Sequence, residues 1–384
     1  MRVYCREEVI ESNSEGLFLL GKAEEKLPLL AKTYTGSVGL VYLDPPAYGL
    51  YAEKSSSSYS EAEYLKVMKQ VLISCRALLS GTGTLIVHLC SGSHARLRLL
   101  LEEVMDQKNF VNEVVWQYKP SGRSSKCFSK AYDTLLIYKK RNKQYINLAE
   151  VAGLRGAART NHWRKIVDES GRVGYTINIK GKIVSVYEGD PVYLTDVWND
   201  IERLGTKSPE KTGYPDQKPE ALLARLIKAF TQTGDIILDP FMGSGTTAVA
   251  ALKLGRRFIG VDSSPLALNV TRQRLFSLRE NPSLLESEPS SVRFVFPALR
   301  IKFASECEVL EKAGKRQLII RSVTFNGSPV SLLSAASGTR KGDVFYPRCC
   351  VAGSKYPMKL PLPQGEDITV RLTAVSGQYI FITV

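Results

Sequence analysis

Apolar residues recur along this chain with two different periods, and the switches between them mark the elements. Ser37–Leu43 (SVGLVYL) is a short apolar run stopped by Asp44-Pro45-Pro46, the pattern of a strand buried on both faces. Over Ser60–Leu79 the residues Tyr64, Val67, Met68, Val71, Leu72 and Cys75 fall on one helical face, and Gly81 supplies the stop. Thr84–Cys90 predicts a second buried strand, Ser93–Met105 a second helix, and Asn112–Tyr118 and Asp133–Tyr138 two further strands. The same rhythm returns at Pro219. It predicts a helix over Pro219–Phe230, a strand over Asp235–Leu238, a helix over Thr246–Leu254, a strand over Arg257–Val261 and a helix over Pro265–Leu278. Strands alternating with helices predict an α/β fold with a parallel sheet covered on both faces.

Two regions break this rhythm. Residues 141–213 are rich in Gly, Lys, Arg and aromatics, with short strands predicted at Val173–Ile179 and Lys182–Tyr187. Residues 281–291 (NPSLLESEPSS) read as a linker, followed by short alternating strands at Val292–Phe296, Gln317–Val323, Ile368–Thr373 and Tyr379–Val384. The expected division is therefore 1–140 and 214–280 as two halves of one α/β domain, 141–213 as an insert, 281–291 as a linker and 292–384 as a small β domain. No internal repeat is evident.

Composition narrows the function classes. With 44% hydrophobic residues the 384-residue chain can bury a substantial core. No segment approaches the ~20 apolar residues a membrane-spanning helix needs, and MRVYCREEVIESNSEG carries acids where a signal peptide has an apolar block. Seven cysteines without a CxxC pair read as reduced thiols, and three histidines argue against a zinc centre. The expectation is a cytoplasmic protein without a membrane partner. Its net charge of +14 is unevenly spread: residues 119–213 hold 18 bases against 10 acids, whereas residues 1–118 hold 12 against 14. A basic insert in an otherwise balanced chain suits contact with a polyanion.

Three motifs carry candidate chemistry. Asp239-Pro240-Phe241-Met242-Gly243-Ser244-Gly245-Thr246-Thr247 follows a predicted strand and opens a helix, and the next strand ends at Asp262. Glycines at such a turn let backbone approach a ligand, and an acid about 20 residues on can bind a ribose diol. No Gly-Lys-Ser/Thr follows, so this is not a Walker loop. The second motif, Leu43-Asp44-Pro45-Pro46-Ala47-Tyr48, places a carboxylate beside stiff proline carbonyls at a strand end. A carboxylate and a rigid carbonyl together suit the two donors of an exocyclic amino group, and a neighbouring ring can stack on a base. The third, Gly213-Tyr214-Pro215-Asp216-Gln217-Lys218-Pro219, leads into a helix, with Pro219 in its first turn. Lys218 there either enters a cofactor pocket or solvates the helix start.

In this order the three motifs, with NEVVWQY at 112–118 and YDTLLIY at 132–138, resemble the β class of DNA amino-methyltransferases over residues 17–280. The resemblance implies a Rossmann-like AdoMet-dependent methyltransferase sheet, a target-recognition region in the basic insert, and S-adenosylmethionine as cofactor. It implies that Asp239, Phe241, Gly243, Ser244, Gly245 and Thr246 hold the methionine end, that Asp262 holds the ribose, and that Lys218 and Pro219 flank the pocket. Asp44, Pro45, Pro46 and Tyr48 would serve catalysis on a base flipped out of double-stranded DNA. Asp rather than Ser before the prolines leans toward adenine N6 over cytosine N4. A cognate restriction endonuclease is the implied partner, and the chain would act as a monomer or homodimer.

The chain departs from the family pattern at three places. Ala47 stands where an aromatic is usual, Lys22 where an acid is expected near the cofactor adenine, and Ser91 where relatives often carry Asp. These departures keep open an alternative, a catalytically degenerate relative that binds DNA or AdoMet. His88 reads as a satisfied core histidine, and Trp116, Trp163 and Trp198 as core residues first, with Trp163 also a DNA-contact candidate. His94 reads as a helix cap or pocket residue, Ser121–Lys130 as a phosphate-contacting segment, and Ser55–Ser58 as a mobile loop.

Overall fold

The computed structural model describes residues 16–46, 48, 60–90, 94–120, 122, 125–154, 162–280 and 292–295, together with strands between 303 and 383. Ala47, Ser55–Ser58, Ser91, the linker 281–291, and parts of Ser121–Lys130 and of the stretch before His162 lie outside the described residues.

The N-terminal half runs β1 (Gly16–Leu20), α1 (Ala23–Tyr34), β2 (Val38–Leu43), α2 (Glu61–Leu78), β3 (Leu79–Leu89), α3 (His94–Met105), β4 (Phe110–Gln117) and β5 (Tyr132–Lys139). Capping fixes the start of α2: the Ser60 hydroxyl accepts from the Glu63 amide, and the Glu63 carboxylate accepts from the Ser60 amide. The insert carries β6 (Gly153–Leu154), β7 (Arg164–Val167), β8 (Val173–Ile179), β9 (Lys182–Tyr187), β10 (Pro191–Val192) and β11 (Val197–Trp198). Then follow α4 (Glu220–Phe230), β12 (Ile236–Asp239), α5 (Thr246–Lys253), β13 (Arg257–Asp262), α6 (Pro265–Glu280) and β14 (Val292–Val295).

Nine strands form the main sheet in the order β11-β4-β5-β3-β2-β12-β13-β1-β14. The sheet is mixed rather than wholly parallel, which corrects the expectation from strand–helix alternation. β5 runs antiparallel to both β3 and β4, because no helix intervenes between β4 and β5 to return the chain to the starting edge. Alternate residues of the central strands enter opposite cores. Val41 and Leu43 face α1, α2 and α3, and Leu40 and Tyr42 face α4, α5 and α6. Both layers are therefore covered, as the runs of apolar residues require.

Two boundaries differ from expectation. β11 lies within the predicted insert but pairs in parallel with β4, and Trp198 is buried there. β14, expected in the β domain, extends the main sheet beside β1. The rest of the insert forms the antiparallel sheet β7-β8-β9 and the pair β6-β10. The later strands form two further antiparallel sheets of four strands each.

Candidate active site

Asp44, Asp239 and Asp262 stand at the carboxyl ends of three neighbouring strands, with β12 between β2 and β13. β2 leads into α2 on one face and β12 into α5 on the other. Adjacent strands whose helices leave on opposite faces open a crevice beyond their carboxyl ends, where open α/β sheets bind ligands.

The glycine loop is held by the two acids beside it. Asp239 Oδ1 accepts from the Phe241 amide at 3.0 Å, and Oδ2 accepts from the Thr247 hydroxyl at 2.6 Å. Burial pushes the Asp239 carboxyl up to about 7 despite these two hydrogen bonds. Asp262 Oδ2 accepts from the Gly243 amide at 2.8 Å and Oδ1 from the Ser264 amide at 2.7 Å. Its carboxyl is also raised by burial. Gly243 and Gly245 have φ of 54° and 77°, in the left-handed region. A Cβ on Gly245 would lie 2.5 Å from the Thr271 hydroxyl.

Ser244 and Thr246 are buried, with their hydroxyls 3.1 Å apart. The Arg274 guanidinium donates to the Ser244 carbonyl at 3.0 Å, to the Thr246 hydroxyl at 2.9 Å and to Glu220 Oε1 at 2.8 Å. Arg274 thus pins the loop to α4 from outside the motif, and its only local signal is a basic residue on a helix. On the other side of the loop, the Tyr214 ring lies 3.2 Å from where a Gly243 Cβ would stand. Gly21 donates its amide to the Asp262 carbonyl at 2.8 Å, so the exposed Lys22 at the start of α1 sits beside this acid.

At the end of β2, the Tyr64 hydroxyl on α2 donates to the Pro46 carbonyl at 3.0 Å. That commits Pro46 to holding the turn and leaves the Pro45 carbonyl as the candidate acceptor. Tyr48 packs its ring on Tyr64, centroids 5.9 Å apart.

Lys218 joins the other strand-end motif. It is buried, and its ammonium lies 2.7 Å from Asp44 Oδ2 and 2.9 Å from Asp216 Oδ2. Burial alone would lower its pKa, but the two carboxylates outweigh burial and raise it. The side chain therefore neither solvates the helix start nor is directed to the glycine loop; only its backbone carbonyl meets that loop, accepting from the Thr246 hydroxyl at 3.2 Å. Pro219 caps α4 from just outside its first turn.

Behind Asp44 lies a buried polar chain. The Tyr42 hydroxyl meets His88 Nδ1 at 2.7 Å, His88 Nε2 meets Asp133 Oδ2 at 3.1 Å, and the Tyr118 hydroxyl donates to Asp133 Oδ1 at 3.0 Å. Both His88 nitrogens are partnered, the arrangement expected of a core histidine. Trp116 is fully buried and donates its indole N–H to the Ile201 carbonyl. Trp163 is half-buried.

A family model for DNA methylases of the N6/N4 type matches residues 38–273, which spans both strand-end motifs. The chain belongs to the N6-adenine/N4-cytosine DNA methylase family. It is similar to the Type II methyltransferase M.EcaI of Enterobacter cloacae, 28% identical over 288 residues, 61% of this chain and 64% of that protein. The chain thus spans just under two thirds of that relative. It is similar also to the DNA adenine methyltransferase YhdJ of Escherichia coli (strain K12), 27% identical over 253 residues, 65% of this chain and 80% of that one. A shorter match, 43% identical over 115 residues, joins 29% of the chain to 40% of the Type II methyltransferase M2.DpnII of Streptococcus pneumoniae.

The family's cofactor is S-adenosylmethionine, and the residues present fit it. The Asp262 carboxylate, which takes the Gly243 and Ser264 amides on separate oxygens, stands at the strand end where a ribose diol can be bound. A side chain on Gly243 would close the approach beside Tyr214. Among the described residues no group of three or more His, Cys, Asp or Glu is placed to hold a metal ion, and no helix is long and apolar enough to cross a membrane.

Proposed function

We propose that this protein transfers a methyl group to the exocyclic amino group of a base flipped out of double-stranded DNA, with adenine N6 as the target. The order of the motifs, Asp44 strand end first and glycine loop second, supports membership of the β class. The observation that carries the reading is the position of Asp44: it stands at the end of the strand beside the one that leads into the glycine loop, next to Pro45, in a turn that Tyr64 holds through the Pro46 carbonyl.

An amino nitrogen on a base has its lone pair delocalised into the ring and is a poor nucleophile. Asp44 and the Pro45 carbonyl accept its two hydrogens and favour a pyramidal nitrogen whose lone pair is free to attack. Bound S-adenosylmethionine supplies an electrophilic methyl on a sulfonium. Asp44 would accept, along its hydrogen bond, the proton that the amino nitrogen gives up on gaining the methyl that leaves the sulfonium. Asp262 holds the ribose, and the loop from Asp239 to Thr246 receives the methionine end. Holding both partners in line supplies much of the rate. Tyr48, fixed against Tyr64, flanks the base in place of the ring missing at Ala47. The basic insert, with Trp163 and the Ser121–Lys130 segment, contacts the duplex, and a cognate endonuclease is the partner such an enzyme would protect DNA against.

Tritiated S-adenosylmethionine with mixed genomic DNA, followed by digestion, tests this. The expected product is labelled N6-methyladenine. Label on N4-methylcytosine would keep the mechanism and reverse the base. Ala47, which offers no ring, favours one second reading, a degenerate relative. That reading predicts intact cofactor binding without label, unrescued by Ala47→Tyr.

A further inference from the structure

The ion pair between Lys218 and Asp44 is one rung of a longer ladder. Asp216 bridges two cations: its Oδ2 lies 2.9 Å from the Lys218 ammonium and its Oδ1 3.0 Å from the Arg203 guanidinium. Asp216 itself sits at φ 53°, a conformation uncommon for a side-chain-bearing residue, right after the Gly213-Tyr214-Pro215 turn. Arg203 comes from the basic insert and lies over the Tyr118 ring at 4.8 Å. A continuous path of charge therefore runs Arg203–Asp216–Lys218–Asp44, from the half-exposed rim of the insert to the strand end that presents the base-binding carboxylate.

The rungs differ in exposure in an ordered way. Arg203 is 45% exposed and Asp216 62%, whereas Lys218 is 8% exposed and Asp44 24%. An ammonium buried to this degree is stable only with partners, and here both partners are carboxylates. Among the described residues the structure shows a partner for Asp44 Oδ2 but not for Oδ1. A carboxylate with one oxygen taken by a fixed cation has its plane set, and its other oxygen is aimed before any base arrives.

We propose that Lys218 is a positioning residue for Asp44, itself positioned by Asp216 and Arg203, so that the basic insert and the catalytic carboxylate are mechanically joined. Lys218 holds Asp44 oriented through Oδ2 and leaves Oδ1 to accept the amino group. It acts through Asp44 and not through the cofactor. The inference rests on the role given to Asp44 above. The charged and titratable groups that face Lys218 are Asp44 from β2, Asp216 from its own turn, Asp133 from β5 and Cys90 at the end of β3.

The test compares wild type with Lys218→Met, Lys218→Arg, Asp216→Asn and Arg203→Gln. Crystal structures read the orientation of the Asp44 carboxylate in each, alongside kcat, KM for DNA and S-adenosylmethionine affinity by calorimetry. Lys218→Met is expected to turn the Asp44 carboxylate out of its wild-type plane. It should cut kcat at least tenfold and leave KM for DNA and cofactor affinity within about twofold, and Lys218→Arg, which returns a cation to Asp44 Oδ2, should recover much of the loss. The exposed Asp216→Asn and Arg203→Gln variants, which remove no buried charge, should reduce kcat several-fold in the same pattern. An Asp44 carboxylate unmoved in the Lys218→Met protein would overturn the proposal, as would cofactor affinity falling in parallel with kcat, which would return Lys218 to the cofactor pocket. A wild-type protein that transfers no methyl group would defeat the proposed function instead, and the crystal structures would still decide the role of Lys218.

Discussion

The Tyr64 hydroxyl on α2 donates to the Pro46 carbonyl at 3.0 Å and so ties the Asp44-Pro45-Pro46 turn to the helix that covers its strand. The same ring carries Tyr48 on its face. Two features of the candidate base pocket, the carbonyl pair and the nearby aromatic, therefore depend on one side chain outside the motif. Tyr64→Phe keeps the ring and removes the tie. The expected cost is about 1 kcal/mol of stability, measured by chemical denaturation. A several-fold loss of kcat should accompany it, with unchanged cofactor affinity.

The buried chain of Tyr42, His88 and Asp133 predicts a stability effect of a different kind. His88→Ala strands the Tyr42 hydroxyl and Asp133 Oδ2 in the core, each costing about 1–3 kcal/mol. Burial alone would raise the Asp133 carboxyl. The hydrogen bond and field of His88, helped by Lys218 and Tyr118, outweigh burial and hold it below its ordinary value. A lowered folded pKa means that the stabilisation is present above the unfolded carboxylate pKa and is lost as pH falls through the folded one. Asp133→Asn should therefore destabilise the protein at pH 7 and make little difference in strong acid, as read from denaturation midpoints across pH.

Asp239 has the opposite sign. Its carboxyl is raised to about 7, chiefly by burial. A raised folded pKa gives stability that is complete below the unfolded value and is lost as pH rises through the folded one. The wild type should lose up to about 4 kcal/mol between roughly pH 4 and 7 from this group and level off above. Asp239→Asn, which keeps the shape and cannot ionise, should lack that slope, so its stability relative to wild type improves with rising pH.

Much of this arrangement was legible in the sequence because strand and helix periods are local. The expected strand over Ser37–Leu43 and the helix over Ser60–Leu79 correspond to β2 and α2 within a residue or so at each end. Strand direction was not legible: β5 reads like its neighbours in apolar pattern, and only the missing helix before it signals reversal. Lys218 reads locally only as a basic residue before a helix, because its partner Asp44 lies far away in sequence. Arg274 and Tyr64 reach their motifs from other helices, and pairings of that kind leave no local trace. The strand at Val292–Val295 was readable as a strand, but which sheet it joins is a tertiary fact.

Gly245 offers a test confined to the glycine loop. Its φ of 77° and the Thr271 hydroxyl 2.5 Å from a built Cβ make alanine both strained and crowded. Gly245→Ala should cost more than about 1 kcal/mol of stability. It should also weaken S-adenosylmethionine binding by calorimetry, with the Asp44 end of the crevice intact.

Asp44 is the residue on which the account turns. The most direct measurement is single-turnover transfer of tritiated methyl from S-adenosylmethionine to DNA by wild type and by Asp44→Asn, side by side, with cofactor affinity measured on both. Labelled DNA is expected from the wild type, with a loss of at least a hundredfold in the variant and the same cofactor affinity in each. Equal transfer by both proteins would place the chemistry elsewhere than at the end of β2.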